Sequence, residues 1–79
     1  MIVEIITPEK KIFSGESDMV RVPGTSGSFQ ILKNHAPIIS TLEKGTINVR
    51  TPDNTEYNFE IESGLVECKD NKIIILIEN

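Results

Sequence analysis

The sequence predicts one all-β domain, a sandwich or barrel with no substantial helix, and three observations carry that prediction. A single Ala and four Leu stand against thirteen Ile, five Val and six Thr, and β-branched side chains, stiff at χ1, suit a pleated, half-buried surface better than a helix. Turn signals recur at short intervals: Thr7-Pro8-Glu9, Ser14-Gly15, Pro23-Gly24, Asn34-His35-Ala36-Pro37, Lys44-Gly45, Pro52-Asp53-Asn54, Ser63-Gly64 and Asp70-Asn71. Many short strands with such punctuation close into sandwiches or barrels. Two segments near the middle also alternate strictly between apolar and polar residues, the period-2 signature of a strand with one wet face.

The elements follow in order. A first strand runs from Ile2 to Thr7, interrupted by Glu4. Short strands at Ile12-Phe13 and Met19 to Val22 lie on either side of Ser14-Gly15. Pro23-Gly24 suits the middle of a type II turn, and Gly24 to Ser28 should form an exposed, adaptable loop before a strand centred on Phe29 to Leu32. In Gly45 to Thr51, Ile47 and Val49 oppose Thr46, Asn48 and Arg50. In Glu56 to Glu62, Tyr57, Phe59 and Ile61 oppose Glu56, Asn58, Glu60 and Glu62. The two flank Pro52-Asp53-Asn54, so they form a hairpin, with the proline in the second position of a type I turn. The last strand, Ile73 to Ile77, has no polar face. It is either buried on both sides or covered on its outer side by something outside this chain. No repeat, low-complexity tract or linker interrupts the chain.

Seventy-nine residues make one small domain that hides only about 60% of its unfolded surface. A core that small leaves little room for an internal active-site cavity. Twelve acids against eight bases give a formal net charge of −4. Nucleic acid is disfavoured as a partner, because affinity there comes mostly from cationic side chains on phosphates. Residues 1 to 40 carry four acids and four bases and residues 41 to 79 eight acids and four bases, so the excess acidity lies in the second half. A lone Cys68 cannot close an internal disulfide, and no stretch approaches the ~18 apolar residues of a membrane span. The expectation is a soluble chain in a reducing compartment, with no direct membrane insertion.

Candidate chemistry is sparse. His35, the only histidine, is the natural general-base candidate, but catalysis would need a partner and the bland reading is a loop residue beside the extended Ala36 that Pro37 requires. Cys68 is the one possible thiol nucleophile, yet it shares the face of Val66 and belongs in the core. No metal-ligand spacing emerges. Gly24 and Gly27 form a Gly-x-x-Gly with no following Lys-Ser/Thr pair, so turn-making is the better reading. The row Glu56, Glu60 and Glu62 reads as a solvated face or, more sharply, as a docking site for basic side chains. An OB-like nucleic-acid barrel lacks its aromatic platform and basic groove.

Longer blocks say more. Thr7-Pro8-Glu9-Lys10-Lys11-Ile12-Phe13-Ser14-Gly15-Glu16, Val22-Pro23-Gly24-Thr25-Ser26-Gly27-Ser28-Phe29, Ile31-Leu32, His35-Ala36-Pro37, Lys44-Gly45 and Ser63-Gly64-Leu65-Val66-Glu67 together resemble the N-terminal β-sandwich domain of the epsilon subunit of F-type ATP synthases. The resemblance covers essentially all of residues 1 to 79. The chain departs from the family pattern at Gln30, where the family usually has glycine. It departs again at Lys33-Asn34, in place of Pro-Gly, although Asn34 can still take a left-handed turn. At Cys68 the family commonly has valine.

The resemblance implies a flattened ten-stranded antiparallel sandwich at the foot of a rotor's central stalk. There it would bind the gamma subunit and rest against the c-subunit ring, reaching the catalytic alpha/beta head indirectly. It implies a non-catalytic subunit without cofactor, peripheral on the cytoplasmic face of an energy-coupling bacterial plasma membrane, in an assembly that moves protons and makes ATP. Gamma-facing surface is expected at Thr7 and along His35, Ala36, Pro37, Ile38, Ile39, Ser40, Thr41 and Leu42. A ring-facing edge is expected at Gly24, Thr25, Ser26, Gly27 and Ser28, with Asn34 and His35 nearby. Family members that continue into a helical hairpin inhibit hydrolysis through it, and a chain stopping at Asn79 is expected to couple without that route. The outer side of the final strand is expected to lie under gamma. A free-standing β-sandwich adaptor for another protein is the alternative, and a small enzyme using His35 or Cys68 is a third.

Overall fold

The computed structural model describes residues 1–78; Asn79, on which the expected domain ends, lies outside them. Nine strands make the fold: β1 (Ile2–Ile6), β2 (Lys11–Glu16), β3 (Met19–Gly24), β4 (Gly27–Leu32), β5 (Ile38–Leu42), β6 (Gly45–Arg50), β7 (Glu56–Ile61), β8 (Ser63–Lys69) and β9 (Lys72–Glu78). Among the described residues there is no helix, in keeping with the β-branched composition. The sheet runs β2-β1-β9-β8-β5-β3-β6-β7 with β4 on β3 and curls over on itself. One layer is β2-β1-β9-β8-β5 and the other β4-β3-β6-β7. Their inner faces meet in a single core to which Val3, Ile5, Val66, Ile73 and Ile75 contribute from the first layer and Val20, Val22, Ile31, Ile47 and Val49 from the second.

Two long bent strands hold the layers together. β5 pairs with β8 from Ile38↔Cys68 to Leu42↔Gly64, and β6 pairs with β7 from Gly45↔Ile61 to Arg50↔Glu56. The register does not slip between the two ladders. Residues 38–50 and 56–68 are therefore one hairpin that turns a corner at Glu43-Lys44 and Glu62-Ser63, passing from the first layer into the second, as sandwich corners do. Its tip is the expected turn: the Asn54 amide donates to the Thr51 carbonyl at 2.9 Å, Pro52 sits in the second position, and Asn54 is left-handed at φ 66°. Ile47 faces Phe59 and Val49 faces Tyr57, as the alternation predicts. Across the open seam Phe13 of β2 packs on Tyr57 and Phe59 of β7, with ring centroids 5.3 and 5.8 Å apart. Tyr57 thus lies at the seam, exposed on one side, and not wholly inside.

Several details differ from expectation. Ser14-Gly15, read as a turn, lies inside β2 paired with Glu4 and Val3, and Ser63-Gly64 opens β8, because the pairing with β1 and β9 runs straight through these small residues. The strands number nine among the described residues, where the resemblance implied ten. One pairing is parallel, β1 on β9 from Ile2↔Lys72 to Ile6↔Leu76; no turn joins these strands, so the layer decides their relative direction. Pro23 and Gly24 end β3 instead of forming a turn, which is made by Thr25 and Ser26 with Gly27 at φ 126°. The proline is tolerated because its missing N–H falls where the partner of β3 changes from β6, last paired at Arg21↔Asn48, to β5 at Gly24↔Leu42.

The corner needs glycine for contact reasons. A Cβ on Gly64 would lie 2.7 Å from the Leu76 carbonyl oxygen, and one on Gly45 2.8 Å from the Pro23 Cβ. Backbone cannot yield as a flexible side chain does, so Gly64→Ala should cost about 1–3 kcal/mol. Gly15→Ala, whose Cβ would meet only Phe13 at 3.8 Å, should be close to neutral. Urea titration followed by circular dichroism separates the two.

Candidate functional site

The catalytic candidates do not assemble. The His35 Nδ1 lies 2.7 Å from the Ala36 carbonyl oxygen in a loop. Cys68 is 2% exposed within the core, where burial pushes its thiol pKa up, the opposite of what a nucleophile requires. Among the described residues no group of three metal-ligating side chains converges.

The two outer faces of the sandwich differ in chemistry. On the second layer the acid row is tied down across strands: Thr46 donates to Glu60, and Asn48 donates to Glu56 at 3.1 Å and Asn58 at 2.7 Å. Glu62 is likewise engaged. This is a polar, internally bonded surface. The first layer presents the reverse. Its pairings set Ile6, Leu76, Leu65 and Thr41 side by side in one row, and Glu4, Ile74, Glu67 and Ile39 in the next. Ile39 is 66% exposed and Leu76 47%, with Leu65 exposed and Ile74 half-buried between them. Shallow depressions mark the same face: about 100 Å³ among Ile39, Leu65, Glu67, Ile74 and Leu76, and about 250 Å³ at Ile6, Thr7, Pro8 and Leu76.

This face answers the question posed by the last strand. Ile73, Ile75 and Ile77 of β9 fill the core, while Ile74, half-buried, and Leu76, exposed, point outward, with no further layer over them among the described residues. Leu65 and Ile6 escaped the sequence reading. The signal for Leu65 was its place beside Val66, since one of two adjacent apolar residues on a strand must face out.

Sequence-predicted site residues fall at both ends of that face. Thr7 caps the end near Leu76 and Glu78, its hydroxyl accepting from the Glu9 and Lys10 amides. His35, Ala36 and Pro37 lie at the opposite end, where Pro37 borders Lys69. Between the ends only Ile39 and Thr41 of β5 project outward. Ile38 and Ser40 turn inward and Leu42 is buried. The Gly24–Ser28 turn is tied to the β5 end of the corner, with Thr25 and Thr41 hydroxyls 2.8 Å apart. It is not near Asn34: β4 separates them by about 17 Å of strand. Asn34 instead exchanges hydrogen bonds with Asn71, its amide donating to Asn71 Oδ1 at 2.7 Å and its Oδ1 accepting from Asn71 Nδ2 at 2.9 Å. Both are left-handed, at φ 62° and 60°, so Asn34 takes the left-handed turn expected of it.

With the geometry in place, comparison with known proteins is direct. The family model described as "ATP synthase, Delta/Epsilon chain, beta-sandwich domain" matches residues 1–79. The chain belongs to that family. It is 43% identical over 77 residues to the ATP synthase epsilon chain of Chlorobium limicola, covering 98% of this chain and 88% of the relative. It is 42% identical over 77 residues to that of Leptospira borgpetersenii, of which it spans 60%. These relatives are epsilon chains, non-catalytic subunits of the synthase. In structure it is similar to a chain of the Euglena gracilis mitochondrial ATP synthase, at TM-score 0.91 and 16% identity, covering 98% of this chain and 49% of that one. It is also similar to one in the central stalk/c-ring structure from Tetrahymena thermophila, at TM-score 0.81 and 23% identity, covering 100% and 63%. At those identities the two structures show the fold. Among the described residues of this epsilon-family chain no helix is long and apolar enough to cross a membrane.

At the β1 margin of the outer face, the Lys11 ammonium donates to the Glu4 carboxylate at 2.8 Å. That hydrogen bond holds the Glu4 pKa below 4.5, its ordinary value, with the charges of Lys11 and Lys72 adding to the effect. The folded-state pKa is depressed, so the pair's stabilisation is present above pH 4.5 and is lost as pH falls through the folded value. Glu4→Gln should flatten that part of the stability profile, read as urea midpoints over a pH series.

Proposed function

We propose that residues 1–79 act as the central-stalk β-sandwich of a proton-translocating F-type ATP synthase. In this role they bind gamma through the outer face of β5, β8, β9 and β1 and couple c-ring rotation to it. The single observation that carries the choice of face is its apolar row, exposed Leu76 and Leu65 with half-buried Ile6, and exposed Ile39 and half-buried Ile74 beside it, opposite a second layer whose outer polar groups are bonded to one another. Contiguous exposed apolar surface marks an interaction site. Thr7 and His35, placed on the gamma side from the family pattern, bracket this same face. The Gly24–Ser28 turn, with its exposed Thr25 and Ser26, is proposed as ring-facing. Asn34 goes instead with the gamma-side end, since its partner is Asn71. The subunit would then be peripheral on the cytoplasmic face of the membrane, touching the alpha/beta head only through gamma. The role proposed for these residues is coupling alone.

A stiff block suits that role. Most of its contacts join residues far apart in sequence, and a corner hairpin ties both layers together, so torque applied at one end deforms little before it reaches the other. Gel filtration of the chain with gamma from the same source should give one-to-one co-elution. The double substitution Ile74→Ser, Leu76→Ser should weaken binding by about tenfold or more, given the apolar area each side chain would bury. Leu76 is exposed and Ile74 only half-buried, so the variant should remain folded by circular dichroism. Separate elution of the unaltered, folded chain would transfer the assignment to an adaptor for another protein.

A further inference from the structure

The apolar face has one charged side chain at its centre. Glu67 lies in register between Ile39 of β5 and Ile74 of β9, one step along the same face from Leu65, and it lines the depressions there. It also shares a depression of about 340 Å³ with Lys69, Asp70, Lys72 and Ile74, and neither lysine lies within ion-pair distance of its carboxylate. Glu4, across Ile74, is bonded to Lys11, and the acids of the other layer are engaged with Thr46, Asn48 or elsewhere. Among the described residues no hydrogen bond or ion pair reaches the Glu67 carboxylate. Lys69, the next residue on its strand facing the same way, stands across from Lys72 and is not within ion-pair distance of it.

We propose that the surface covering this face presents one basic side chain, an arginine or lysine framed by apolar groups, that pairs with Glu67. The proposal rests on the reading that gamma covers the face. The physical argument is one of desolvation. Seating a partner on Ile39, Leu65, Ile74 and Leu76 must strip water from the carboxylate between them, and a carboxylate buried without a partner opposes association strongly. A cation placed against it turns the same burial into a charge-assisted hydrogen bond that fixes the register of the two surfaces. A second copy of this chain does not fit. A two-fold interface centred on the patch would bring Glu67 towards its own symmetry mate, like charge against like in a drying interface.

Titration calorimetry of the full chain with purified gamma tests this, using Glu67→Gln and Glu67→Leu beside the Ile74→Ser, Leu76→Ser pair. Glu67 is exposed, so both single variants should fold. If a cation faces it, Glu67→Gln should weaken binding by about tenfold or more, Glu67→Leu should weaken it as well, and the loss should shrink little in salt because the pair is dry. Unchanged or tighter binding of Glu67→Gln, with the apolar pair still weakened, would overturn the proposal and leave the gamma-facing assignment standing. If neither set changes affinity, or the unaltered chain does not bind, both fail. Lys69→Met should have little effect; a loss equal to that of Glu67→Gln would mean that Lys69 itself supplies the cation, and would also overturn the proposal. So would self-association of the chain that the apolar substitutions abolish.

Discussion

The constraint on which the rest of the structure depends is the unbroken register of one long hairpin through a corner between the two layers. Because residues 38–50 and 56–68 remain paired across the bend, β5 and β8 are fixed in one layer by the same ladder that fixes β6 and β7 in the other. The inner faces are then set at a fixed separation and offset, which the Ile and Val side chains fill. Gly45 and Gly64 make the bend passable, since each brings a backbone against Pro23 or Leu76 where no Cβ fits. β9 docks on β8, β1 docks in parallel on β9, and Phe13 closes the seam on the far side. Each step uses a position that the hairpin has already set.

The same arrangement decides which surface is left for function. Period-2 alternation gives every strand an inside and an outside, but the first layer places the outward residues of four strands next to one another. Ile6, Leu65, Ile74, Leu76 and Ile39 are ordinary exposed or half-buried residues taken singly, and it is adjacency that makes them a continuous apolar face. On the second layer adjacency works in the other direction, bringing Thr46 to Glu60 and Asn48 to Glu56 and Asn58. A small domain can thus offer one largely apolar and one polar face.

Several elements were legible in advance because they depend on local chemistry. The turn at Pro52-Asp53-Asn54, the inward set Ile47, Val49 and Ile61, the burial of Cys68 and the left-handed Asn34 each follow from a residue and its immediate neighbours. Pro23-Gly24 misled for the complementary reason. The pair has the composition of a turn, but the ladder that passes it has a gap where the missing N–H would point, and that gap exists only in the folded sheet. The placement of Asn34 beside the Gly24–Ser28 turn failed likewise, because sequence proximity across β4 is not spatial proximity when the intervening residues are extended.

The sequence by itself determined the fold class, the core and the family. β-branching, turn spacing and alternation are encoded residue by residue, and ordered blocks from Thr7 to Glu67 survive as a pattern. Only the tertiary structure decided that β1 lies parallel to β9, that the final strand keeps one side uncovered by the other described residues, and that Glu67 stands in register between Ile39 and Ile74 of two other strands. Those facts are set by pairings between residues distant in the chain, and strand pairing is a choice among many registers that only the closed sheet makes.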